Sequence, residues 1–403
     1  MRPVLAIVTV VVVVSIGLAG PAPPAIGNGC LVQNPRAGTH NPTLQDAVDT
    51  AWSGDTLLIT GTCVGTTSIH GKELTLKGAT TGGVSATLDA DALGRVLWVS
   101  RADVTLIDMV VTDGKAGLGA GIHVHESSLA LRGTSTIVAN HGGYEGGGIW
   151  ADASRIMLAG SSSLVGNEAT RGGGLFQTLH GRVVMRGAAA VAGNHAEDGG
   201  GISSDRGTLI MRGTSSVTGN DASVYNGGGI YQDGRLELHD VALIADNVAR
   251  RRGGGVMVFQ GHVSVFGRSA IRDNRAGMQG GGMWAQYGSV TLVDHASVVG
   301  NTATGAGGGL WNHGKDLVLE GAASVTGNAA GSFGGGVWSD KRVTLMGSVS
   351  VTGNMAGKAG GGIFDTRGRV YMCSMRVEIS PNDPDDPPQV RSCTAASANA
   401  FSR

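Results

Sequence analysis

An asparagine returns every 26 or 27 residues along most of this chain, at Asn140, Asn167, Asn194, Asn220, Asn247, Asn274, Asn301, Asn328 and Asn354. A glycine triplet returns in step with it, from 146–148 to 360–362, and an aliphatic residue stands three places before each Asn, from Ile137 to Val351. Such a fixed period is the signature of a repeat architecture, in which each unit buries its apolar face only against its neighbours. The repeat also explains the composition. Glycine makes up 70 of 403 residues, against a usual share of roughly 7%. Glycine weakens helix and strand interiors, so this excess needs a recurring backbone reason.

Each unit holds three short strand-like pieces. One follows the triplet, as in Gly148-Ile149-Trp150. A second alternates, as in Leu236-Glu237-Leu238 and Val263-Ser264-Val265. A third ends at the Asn, as in Ser324-Val325-Thr326-Gly327-Asn328. Period-two alternation puts one side of each piece inward and the other outward, and no helix-length segment fits between them. The expected fold is all-β: a single-stranded right-handed parallel β-helix with about 27 residues per rung. Stacked Asn side chains are expected to hydrogen-bond from rung to rung at a corner whose left-handed backbone Asn tolerates. The triplets would let the chain turn where a Cβ would clash.

The ends depart from the period. Arg2 followed by the apolar run Val4–Ala19 and a small-residue, proline-rich stretch fits a secretory signal, with cleavage between Gly20 and Gly27. The rivals are a membrane anchor, for which the run is slightly short, and lipoprotein processing at Cys30. No second run of spanning length follows, so no membrane span is expected after signal removal. Pro42-Thr43-Leu44-Gln45-Asp46 has capping-box spacing, and Leu44, Ala47, Val48, Ala51 and Trp52 share one helical face. A short N-terminal capping helix could thus cover the open end of the solenoid. The expected organisation is a signal peptide at 1–27, a cap with irregular first rungs at 28–118, the regular array at 119–372, and a cap loop with a flexible tail at 373–403. Of the three ways to pair Cys30, Cys63, Cys373 and Cys393, the simplest joins Cys30 to Cys63 and Cys373 to Cys393 as disulfides, one near each end.

The Gly-Gly-Gly-[ILVM] and [VIL]-x-x-Asn tetrapeptides are similar to the repeats of chlamydial polymorphic outer membrane proteins. Thr43–Val48, Gly54–Thr56 and the rungs that follow look like secreted bacterial β-helix repeat proteins with the pectate-lyase-like fold. The resemblance covers roughly residues 43 to 372. Here the Phe of Phe-x-x-Asn is aliphatic, and about 30 residues after Met372 are too few for an outer-membrane barrel. The first resemblance implies adhesion; the second implies, for some members, polysaccharide processing. Fold alone implies neither.

One column of residues stands out. The position after the first inward aliphatic reads Trp150, Phe176, Ser203, Tyr231, Met257, Trp284, Trp311, Trp338, Phe364. Its neighbour faces inward, so the column should face out. An outward aromatic strip suits sugar rings or a partner's apolar surface; self-stacking that only braces the sheet is the rival. Trp284, Trp311 and Trp338 are the expected heart of a binding strip. Two acidic pairs, Asp246 with Asp273 and Asp205 with Asp233, fall on adjacent rungs. Arg250, Arg251, Arg252, Arg272 and Arg275 lie near the first pair. Calcium is the cofactor such pairs could hold, although three or more oxygens are needed. Solvated turns with Asp–Arg pairing are the simpler reading. His123 and His125 face one way, as two surface histidines or two ligands of an incomplete metal set. The net charge of −1 gives nucleic-acid binding no footprint. The expected role is a secreted or cell-surface, non-catalytic, adhesin-like protein binding an extracellular glycan or surface protein. The alternative is a polysaccharide lyase or hydrolase with a site across adjacent rungs.

Overall fold

The computed structural model describes residues 29–79, 85–374, 376–385 and 390–392. The expected signal segment, Cys393 and the tail after it lie outside these residues. The described chain is a right-handed parallel β-solenoid of about 11 turns. One rung shows how it is made. Ile149, Ala151, Ile156, Leu158, Leu164 and Ala169 point inward and are buried, while Trp150, Met157 and Val165, which alternate with them, are half-buried. The next rung repeats the set in parallel register: Leu175 on Ile149, Val183 on Ile156, Val191 on Leu164. Each fully buried Val, Leu or Ile contributes about 1.5–3 kcal/mol, and the cores of all rungs join in one cluster.

Most rungs of the array carry four strands, not the three that alternation suggests; in three rungs the first two run on as one, at Ile202–Met211, Ile230–Leu238 and Val256–Val265. The fourth follows the Asn and is short, as at Glu168–Arg171 or Val248–Ala249. Two strands per rung enter a 25-stranded sheet; the others form sheets of 12 and 10 strands. At the usual strand spacing, twelve stacked strands span about 50 Å.

The Asn ladder forms as expected and is buried throughout. The Asn167 carboxamide donates to Asn194 Oδ1 at 3.0 Å and to Ile137 O at 3.0 Å, and Asn167 N–H donates to the same Oδ1 at 2.9 Å. The left-handed residue at this corner is not the Asn. It is the residue before it: Ala139 at φ 54°, Gly166 at 60°, Asp246 at 57°, Asp273 at 56°. The triplet is required by close approach. A Cβ on Gly148 would meet Gly174 O at 2.5 Å and the Asn167 carboxamide nitrogen at 3.1 Å.

The ladder also runs one step further than the sequence pattern. Asn354 donates to Asn382 Oδ1 at 3.0 Å, and Glu378 and Asp383 bridge to Ser350 and Met355. Residues 376–385 therefore add a partial rung where a cap loop was expected. Ile379-Ser380-Pro381-Asn382 carries the same aliphatic-x-x-Asn motif.

At the other end, helix α1 (Leu44–Thr50) closes the solenoid. Thr43 caps it by accepting from Asp46 N at 3.1 Å, and Leu44, Ala47 and Val48 are buried. Ala51 is buried as well, but Trp52 is 73% exposed and leaves the apolar face. Leu31–Asn34 pairs antiparallel with Thr39–Asn41 and with Asp55–Thr60, sealing the first edge. Cys30 and Cys63 form a disulfide across 33 residues. Cys373 is disulfide-bonded as well.

Candidate binding surface

The outward column exists, and it begins two rungs earlier than the glycine triplets mark. Trp98, His123 and Trp150 lie side by side in parallel register. The triplet is degraded there to Gly119-Ala120-Gly121, which hides the phase; the alternation Leu97-Trp98-Val99 and Ile122-His123-Val124 was the available signal. Beside the column runs a second ladder, made by the residue before each triplet: Glu145, Arg171, Asp198, Asn226, Arg252, Gln279.

The column has three sections. In the N-terminal one the rings are tilted. His70 to Trp98 is 6.1 Å between centroids at 59°, Trp98 to His123 is 5.4 Å at 42°, and His123 to Trp150 is 4.4 Å at 40°. Trp98 is 42% exposed, with the Arg95 guanidinium 5.1 Å from its ring centre. Trp150 is anchored by Nε1–H to Glu145 at 3.1 Å. Burial lowers His123 to a pKa of about 4, helped by the positive charge of Arg95 and by His125. The imidazole is thus neutral at neutral pH. His125 pairs with Asp152 at 2.9 Å. The two histidines are therefore not a free surface pair: one is wedged between indoles, the other is held by a carboxylate.

In the C-terminal section the rings are parallel. Trp284 and Trp311 stack at 4.9 Å and 11°, Trp311 and Trp338 at 4.7 Å and 3°. That distance is the strand spacing itself. Both faces of Trp311 are covered by indoles, and its edge is what remains for solvent. Trp284, expected outward, is only 2% exposed; the Arg252 guanidinium lies 5.0 Å from its ring centre, and its Nε1–H has no acceptor. Phe176 is likewise covered, at 3% exposure, beside Arg171 at 4.9 Å. These two residues face away from the core but are screened by the neighbouring ladder. Trp150, Tyr231, Trp311, Trp338 and Phe364 are half-buried.

The middle section breaks the stack. Ser203 replaces the aromatic, is fully buried, and has no partner for its Oγ. Around it lie Asp198, Tyr231, Asp205 and Asp233. Burial pushes Asp198 up to about 6, against the opposing effects of the Asn226 N–H and Arg171. Burial, then the charge of Asp198, pushes Tyr231 up to about 12. Asp205 and Asp233 sit in register, and burial and Asp205 raise Asp233. Thr178 donates to Asp205 at 3.2 Å. Asp246 and Asp273 are exposed corner residues, and Asp273 is paired with Arg272 at 2.5 Å. Among the described residues no three His, Cys, Asp or Glu side chains converge on a metal position.

No protein-family model, curated protein or solved structure matches this chain. The parallel β-solenoid rests on the structure itself, and the likeness to polymorphic outer membrane proteins and pectate-lyase-like proteins rests on sequence motifs alone.

Proposed function

We propose that this is a secreted or surface-displayed, non-catalytic, adhesin-like protein that binds glycans along the N-terminal section of its aromatic column. The observation that carries this reading is the tilt of Trp98, His123 and Trp150. Sugar rings dock on aromatic faces, where the quadrupole and apolar area lie, and only tilted rings leave faces open on a solenoid. His123 between the indoles is neutral, so a ligand laid on the column meets no charge there to desolvate. Export is supported by the apolar N-terminal run and by the Cys30–Cys63 disulfide. The binding role is supported by the short connections between rungs, which lay no long loop over the aromatic column. Co-sedimentation with insoluble cellulose, chitin and xylan tests it: wild type should pellet with at least one of them, and Trp98→Ala should stay in solution. No pelleting by wild type, or equal pelleting by the variant, would refute it.

One observation favours the enzyme alternative. A carboxyl held near neutrality at Asp198, close to Tyr231 and the Asp205–Asp233 pair, has the profile of a general acid. Turnover there would release new reducing or unsaturated sugar ends, and Asp198→Asn would abolish the release. Binding without product supports the first reading.

A further inference from the structure

A groove of about 520 Å³ runs along the second strand of five successive rungs, away from the aromatic column. Its floor is a column of small and apolar side chains in parallel register, Thr75, Thr105, Ala130, Met157 and Val184. One wall carries Arg155 and Arg182, the other Arg186. Arg155 and Arg182 are directly opposed in parallel register, one strand spacing apart, about 4.8 Å. Like charges opposed this way destabilise a sheet. At four other places a carboxylate stands opposite a histidine of the next rung: His125 and Asp152, His141 and Glu168, His195 and Asp221, His313 and Asp340. Arg155 and Arg182 have no carboxylate opposite them: their other register partners are Ser128 and Thr208. Arg155, Arg182 and Arg186 are all exposed, and none belongs to an ion pair among the described residues. Arg132 and Arg212, in line with Arg186, are exposed and unpaired in the same sense.

We propose that this groove binds a linear anionic glycan, its oxyanions held by the arginine walls and its rings laid on the floor. Charge complementarity carries the argument. The wall cations are all Arg, whose planar, weakly hydrated fork takes oxyanions in pairs, and none is Lys. The floor carries no aromatic ring on which a nucleobase could stack. Glu73 and Asp103 stand at the N-terminal end of the same groove. They would repel a polyanion there and confine it to the rungs of Arg155 and Arg182. This site does not depend on the aromatic column.

The test is affinity for heparin, which carries sulfates, and hyaluronan, which carries carboxylates only. Neutral dextran and a single-stranded DNA oligomer serve as comparisons, in low and moderate salt. Wild type should bind one or both anionic glycans, more weakly as salt rises. Arg155→Gln/Arg182→Gln should weaken that binding at least about tenfold, about 1.4 kcal/mol, since both charge-assisted contacts are lost. Trp52→Ala, at an exposed indole outside both surfaces, should leave it unchanged. Binding by heparin alone assigns sulfate, and binding by hyaluronan assigns carboxylate. Both arginines are exposed, so the variant should keep the wild-type circular dichroism and melting curve; Arg155→Lys/Arg182→Lys should recover part of the affinity. No binding of either glycan, equal binding by the Gln variant, or tighter binding of DNA than of both glycans would overturn the proposal.

Discussion

The two ends of the aromatic column are built on the same rung and do different things. At Trp284, Trp311 and Trp338 three identical residues follow one another, and their indoles lie parallel and stack at the strand spacing. At Trp98, His123 and Trp150 rings of different size alternate, and they tilt. Identity along a column uses up the ring faces; alternation leaves them partly free. An aromatic strip on a solenoid is therefore not one kind of site. Its chemistry depends on whether neighbouring rungs carry the same ring, and on what the flanking ladder lays over it.

The comparison can be broken most forcefully by truncation. Trp284→Ala removes a buried ring from a stack and should cost about 3–5 kcal/mol, whereas Trp98→Ala, at an exposed position, should cost less than about 1 kcal/mol. Urea unfolding of the two variants decides this, and equal losses would erase the distinction.

Reduction of Cys30–Cys63 comes next. By the loop-closure argument, opening a loop of 33 residues should cost about 3–4 kcal/mol. The loss should fall on the N-terminal rungs, because solenoid stability is nearly a sum of local terms. Amide exchange should quicken around Leu57–Val99 and stay slow around Trp311.

The Asn ladder should not distinguish the two ends. Asn140→Ala and Asn328→Ala each orphan buried partners and should each cost about 1–3 kcal/mol. Similar losses at both would confine the contrast to the outer column.

The smallest effects are pH-dependent. Asp198 has a raised pKa, so its neutral form favours the fold; that contribution is complete below the unfolded value near 4 and is lost as pH rises through about 6. Asp198→Asn should remove this decline between pH 4 and 6. His123 runs the other way. Its lowered pKa supplies stability above the unfolded value of about 6.5 that is lost as pH falls toward 4. His123→Gln should blunt the acid loss, and melting curves across pH 4–7 would show both slopes.

Much of this molecule could be read in its sequence, because a solenoid converts period directly into position. The Asn and glycine spacing placed the buried ladder and the corners, and Thr43 with Asp46 placed the helix start. The misses have physical causes. The fourth strand is often two residues long and has no alternation to betray it. Asn382 is masked in the sequence because proline and aspartate surround its motif, and only the register shows that it continues the ladder. Trp52 lies on the helical face by spacing, yet the helix ends at Thr50 and the chain turns it outward. For the candidate site, sequence gave the direction of each column residue and not its exposure. Trp284 and Phe176 face outward and are still covered, because Arg252 and Arg171 on the neighbouring ladder reach across them. The Ser203 gap was visible as a missing aromatic, but the carboxylates around it come from three places in two rungs.

Hydroxyl-radical footprinting of the six tryptophans, without ligand and with the glycan that wild type binds, tests the central claim most directly. The account predicts ready oxidation of Trp52 and Trp98, slow oxidation of Trp284, and protection of Trp98 and Trp150 alone when glycan is added. Protection of Trp311 and Trp338 by ligand, with Trp98 unchanged, would contradict it and return the binding strip to the parallel stack.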